Sequence, residues 1–128
     1  MRDLSNNIGV ELALAPAVHA AAANGPAIDL LGFESVAFAV TTGAIAGDGD
    51  FGVKVQESDT GEPDDFEDAP ADHVDSTAPE TLEATSSYKL GYRGWKQHVR
   101  LALTKEDGTS IVASAVAIKG NAHHRPVA

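Results

Sequence analysis

Through the last third of the chain, apolar residues recur at every second position, a period that admits a β-strand and excludes a helix. Tyr88, Leu90 and Tyr92 alternate with Lys89 and Gly91. Val99, Leu101 and Leu103 alternate with His98, Arg100 and Ala102, and Val112, Val116 and Ile118 with Ala113, Ala115 and Ala117. Asp107-Gly108, between the last two runs, is a strong short-range turn signal, and it predicts an antiparallel hairpin of residues 97–104 with 110–118. The period also occurs earlier: Val36, Phe38 and Val40 fall opposite Ala37, Ala39 and Thr41, and Phe51, Val53 and Val55 point inward against Lys54 and Gln56. Residues 43–50 between those two runs read as a second hairpin loop. The fold expected is mainly β, a small antiparallel β-sandwich or barrel.

A length of 128 residues fits one domain. Ala accounts for 22 positions and the large apolar types for only 33, so the core is modest, and such a chain gains from being held by a partner. With no cysteine, disulfide scaffolds, thiolate metal sites and cysteine nucleophiles are excluded. The net charge of −10 argues against direct nucleic-acid binding, which needs clustered Lys and Arg. No apolar run approaches the roughly 18 residues that would span a bilayer, so no membrane partner is expected. The Ala-rich stretch 12–23 is broken by Pro16 and His19 and reads as part of the mature protein rather than a leader.

Charge divides the chain into zones. Residues 1–28 are small and apolar, and Pro16 with Asn24-Gly25-Pro26 makes a long helix improbable despite the alanines, so an extended N-terminal arm with one short helical turn is expected. Residues 29–119 form the single β domain. Within it, 48–83 holds 13 of the 19 acids against one base, Lys54, and 58–83 has the composition of a long exposed loop that Phe66 and Val74 would tack to the body. The sign then reverses: Lys89, Arg93, Lys96, Arg100 and Lys105 are five of the nine bases. Residues 120–128 are expected to run out as a surface tail.

Motifs for catalysis are missing. Asp48, Asp50, Asp59, Glu62, Asp64 and Asp65 are oxygen-rich, but Asp48-Gly49-Asp50-Phe51-Gly52 lacks the third acid and terminal Glu of a calcium loop, and a solvated acidic face is the better reading. His123-His124 lacks a third ligand at suitable spacing. No nucleophile elbow or phosphate loop occurs. The expectation is a protein that is not an enzyme and holds no metal or cofactor.

The most distinctive segment is 88–100, YKLGYRGWKQHVR, with the only Trp, both Tyr and four bases, a mixture enriched at protein interfaces. Tyr88 and Tyr92 can fill the core while the bases face water, and Trp95, beside Gly94 in a turn, reads as a surface residue. Together with Ala15-Pro16-Ala17-Val18, with Asn24-Gly25, and with Ile28-Asp29-Leu30-Leu31-Gly32-Phe33-Glu34-Ser35 leading into Phe38-Ala39-Val40, this segment resembles a group of small structural proteins of tailed bacteriophages encoded near the major capsid gene. The family pattern has a basic and an aromatic residue before Val99-Arg100, where this chain has Gln97 and His98.

The resemblance implies a virion protein at the capsid surface that decorates or cements the shell. Its implied partners are the major capsid protein and further copies of itself, as trimer or dimer. The interface expected on that basis comprises Leu12, Leu14, Pro16 and Val18 of the arm with Tyr88, Tyr92, Arg93, Trp95, Lys96 and Arg100. The alternatives are a head–tail connector, neck or tail component, then a carbohydrate-binding adhesive β-domain, poorly supplied with aromatic platforms, and last an acidic nucleic-acid mimic.

Overall fold

In the computed structural model, which describes residues 4–47 and 49–122, about 61% of positions are strand and 7% are in short 3-10 turns. The strands in chain order are β1 (Gly9–His19), β2 (Ala23–Asn24), β3 (Ile28–Asp29), β4 (Phe33–Ala46), β5 (Asp50–Ser58), β6 (Glu67–Asp68), β7 (Val74–Ser76), β8 (Ser87–Tyr92), β9 (His98–Asp107) and β10 (Ser110–Ala122). They form two antiparallel sheets that do not close into a barrel. Sheet A runs β1-β10-β4-β8-β7; sheet B runs β2-β9-β5-β6, with β3 also on β9. Among the described residues no helix is long and apolar enough to cross a membrane.

The two sheets bury one face each against the other, as amphipathic strands require. Val36, Phe38 and Val40 of β4 and Leu90 and Tyr92 of β8 meet Phe51 and Val55 of β5 and Val99, Leu101 and Leu103 of β9. From β10 the core takes Ile111 and then three alanines, Ala113, Ala115 and Ala117. That strand therefore turns its larger residues, Val112, Val116 and Ile118, away from the core.

Both expected hairpins are corrected. β4 and β5 lie in different sheets, and so do β9 and β10, so each connection is an arch that crosses the sandwich instead of a turn within one sheet. The arches stack: β4 pairs with β10 and β5 with β9, and the Thr109 N–H donates to the Ala46 carbonyl at 3.1 Å. Gly108, at φ +96°, lies so close to Gly49 that a Cβ would collide with its backbone. Asp107-Gly108 thus marks a chain reversal correctly, but turn chemistry does not say which strand becomes the partner.

The expected arm is corrected too. Apart from a 3-10 turn at Ser5–Asn7, residues 9–19 are the edge strand of sheet A, paired with β10 from Gly9↔Lys119 to His19↔Ile111. Register slips between Leu12 and Leu14 and between Leu14 and Ala17 break the period of two, and this concealed the strand in the sequence. The acidic loop is tied down more than its composition suggests. Besides half-buried Phe66 and Val74, Leu82 is fully buried and donates its N–H to the Phe51 carbonyl at 2.7 Å. The tail residues 123–128 lie outside the described residues; residues 120–122 continue β10.

Candidate functional site

An antiparallel sandwich ordinarily shows water a polar outer face on each sheet. Sheet B conforms. Lys54 pairs with Asp68 at 3.0 Å, and the Arg100 Nε–H donates to Gln56 Oε1 at 2.7 Å while the guanidinium lies 4.4 Å from the centre of the Phe66 ring.

Sheet A does not conform. Because the alanines of β10 face inward, Val112, Val116 and Ile118 face out, and the register places Val10 of β1 beside Ile118, Leu12 beside Val116 and Val18 beside Val112. On the other flank Ile118 and Val116 meet Ala37 and Ala39 of β4. Val10, Leu12 and Val18 remain 59%, 51% and 66% exposed. Ser35, Thr41 and Ser114 are the polar residues interspersed, and the first charge across the sheet is Lys89, beside Ala39. A shallow groove of about 400 Å³ opens on this face, lined by Pro16, Val18, Thr41, Gly43 and Val112 among others. Among the described residues the result is a contiguous uncharged apolar face on a chain of net charge −10, the kind of surface that marks an interaction site.

A second apolar feature stands at the end of the sandwich where β3 leads into β4 and β8 into β9. Trp95 is 77% exposed and Leu31 75%, and both border a cleft with Phe33 and Gln97. The loops are fixed from below. Asp29 accepts the Leu31 N–H at 2.9 Å and a Gln97 side-chain N–H at 3.0 Å, and the backbone bond first, with Gln97, holds its carboxyl below the ordinary aspartate range. The Tyr92 hydroxyl accepts the Lys96 N–H at 3.2 Å, Lys96 pairs with Asp59 at 2.7 Å, and Trp95 stands edge-on to His73 at 4.8 Å. Gly94 runs so close to the Tyr92 ring that a Cβ would strike it. Trp95 is thereby presented on a strapped loop, with little left to order on binding.

The ten residues expected at one interface divide among several places. Leu12, Pro16 and Val18 lie on or beside the sheet A face, and Trp95 and Lys96 form the tip. Leu14 and Tyr92 are corrected: they are 3% and 5% exposed, Leu14 because the slip after Leu12 turns it inward and Tyr92 because its ring enters the core, so neither reaches a partner. Arg93 is paired with Asp75 at 2.6 Å at the β7 edge, and half-buried Tyr88 accepts the Glu83 N–H at 3.0 Å. Arg100 sits on the opposite sheet. Val10, Val112, Val116, Ile118 and Leu31 were missed; the alternation in β10 was visible, but alternation alone does not say which face is inside.

What the fold and its surfaces define is a small open β-sandwich with one apolar sheet face and one apolar tip. Comparison with known protein families, with curated proteins and with solved structures found no match.

Proposed function

We propose that this chain is a bacteriophage virion structural protein, a capsid decoration protein that seats the outer face of sheet A on the shell of the major capsid protein. The observation that supports this reading is the uncharged face built by Val10, Leu12, Val18, Val112, Val116 and Ile118. The sequence resemblance supplies the partner. Burying such a face is worth about 25 cal/mol per Å² of apolar surface before the costs of association. One copy binds modestly, and a lattice of equivalent sites turns modest contacts into substantial reinforcement of the shell. Trp95 and Leu31, rigidly held, add an anchor at the rim.

Co-sedimentation with empty heads assembled from the major capsid protein tests this. Leu12→Glu combined with Val116→Glu is expected to abolish binding while circular dichroism stays native, Trp95→Ala to weaken it, and Arg100→Ala to leave it unchanged. Undiminished binding by the double variant overturns the assignment of the face. A bound copy number matching a single ring instead of the whole shell overturns the decoration role in favour of a neck component.

A further inference from the structure

A sheet edge offers unpaired N–H and C=O groups to any passing strand unless it is short, charged or covered. Among the described residues, three of the four sheet edges are short. β7 has three residues and carries the Asp75–Arg93 pair, β6 is Glu67–Asp68, and the β2 and β3 side of sheet B consists of two-residue strands. β1 is unlike them. It has 11 residues, ends sheet A, exposes Val10, Leu12 and Val18, and carries one acid, Glu11, neutralised by Lys119 at 3.0 Å.

Its two halves differ. Past Leu12 the register slips twice and Pro16 contributes no N–H, so that half makes a poor template. Residues 9–12 keep an unbroken register on β10, from Gly9↔Lys119 to Leu12↔Val116. In such a strand alternate residues turn their N–H and C=O groups away from the existing partner.

Charge selects the occupant. The 48–83 zone, with 13 of the 19 acids, supplies β5, β6, β7 and their connections, and β7 is the edge of sheet A farthest from β1. A second copy arriving β1 first keeps the two acidic zones at opposite ends of the pair. Arrival by the β7 side would bring acid toward acid.

We propose that two copies of this chain associate through β1, their 9–12 stretches pairing antiparallel about a two-fold axis to join the two A sheets into one. In an antiparallel pair that axis stands perpendicular to the sheet. The outer faces of both copies therefore look the same way, and the Val10 and Leu12 side chains of the two copies share the joined face. This association does not depend on capsid docking, although it would double the width of the face available for it. A four-residue ladder buries far less than the roughly 1,200 Å² of a lasting interface, so the pair comes apart on dilution.

Sedimentation velocity of the full chain over a concentration series reads the association, and single-cysteine variants locate it, since the natural chain has no cysteine. With a short bis-maleimide, Val10→Cys and Leu12→Cys are expected to give crosslinked dimers at least tenfold faster than Val112→Cys, on the same face but one strand in, or Trp95→Cys. Val10→Pro tests the same edge and is expected to shift the chain to monomer. A chain monomeric at millimolar concentration overturns the proposal. So does crosslinking at Val112 or Trp95 as fast as at Val10, which would indicate stacked faces or contact through the tip. Head co-sedimentation of the same variants reads docking separately, so the two ideas fail independently.

Discussion

Tyr92 does two jobs with one side chain. Its ring belongs to the core beneath sheet A, while its hydroxyl donates to Glu57 Oε1 at 2.9 Å across to sheet B and accepts the Lys96 N–H that straps the Trp95 loop. Burial first, and then the neighbouring Glu57, push its pKa up to about 12, against the pull of the Lys96 N–H. The folded state thus keeps a proton that the unfolded chain releases near pH 10. The stability this group contributes is complete below pH 10 and drains away as pH rises toward 12, by at most about 1.4 kcal/mol per unit. Urea unfolding at several pH values is expected to show that slope in the natural chain and to lack it in Tyr92→Phe. The variant should also cost about 1–3 kcal/mol at neutral pH, because buried Glu57 loses its donor. Asp29 acts at the other end of the scale. Its depressed carboxyl pKa means that its hold on Leu31 and Gln97 is present above the ordinary aspartate value of 3.8 and is lost only as pH falls through a lower one. Trp95 fluorescence should therefore stay constant down to that value and change below it, and Asp29→Ala should show the altered signal already at neutral pH. The sequence marked Tyr92 as an apolar position of a strand. It could not show that a carboxylate 35 positions away would sit beneath the hydroxyl.

At the scale of elements, the strands over 36–42, 51–58, 88–92, 98–103 and 112–118 were legible because period-two alternation survives wherever one face is buried. β1 was not, because its slips scramble the parity, and Leu14 ended inside while Leu12 stayed out. β10 is the instructive case. Apolar on both faces, it satisfies alternation either way round, and the volume left by Phe38, Phe51, Leu101 and Leu103 decides that the alanines go in. The uncharged outer face is the by-product of that decision, so it was beyond the reach of hydrophobicity patterns. Two substitutions one residue apart test this. Ala115→Leu should overpack the interface between the sheets and cost about 1–3 kcal/mol. Val116→Ala, on the outer face, should shift the chemical-denaturation midpoint little while weakening head binding, and equal destabilisation by both would refute the assignment of faces.

For the whole molecule, the net charge of −10 resolves into geography. Acid gathers on β5, β6, β7 and their loops, sheet B carries interleaved pairs such as Lys54–Asp68, and among the described residues the outer face of sheet A over β1, β10 and β4 is without charge. Exposed ion pairs lose strength as salt rises, whereas apolar burial does not. Head binding is therefore expected to persist from about 0.1 M to 1 M sodium chloride; a tenfold loss over that range would move the contact to the basic residues 89–105. The pairing of β1 with β10 also sets a timetable. Gly9 lies against Lys119, so the neighbour that shelters Ala13 and Leu14 within sheet A is synthesised about a hundred residues after β1. At roughly 5–20 residues per second, β1 waits on the order of 5–20 s before its partner emerges. Sheet A cannot close before β10 is made, and a chain arrested before Ser110 leaves β1 without its partner and β4 paired on its β8 side alone, a species for chaperones and proteases.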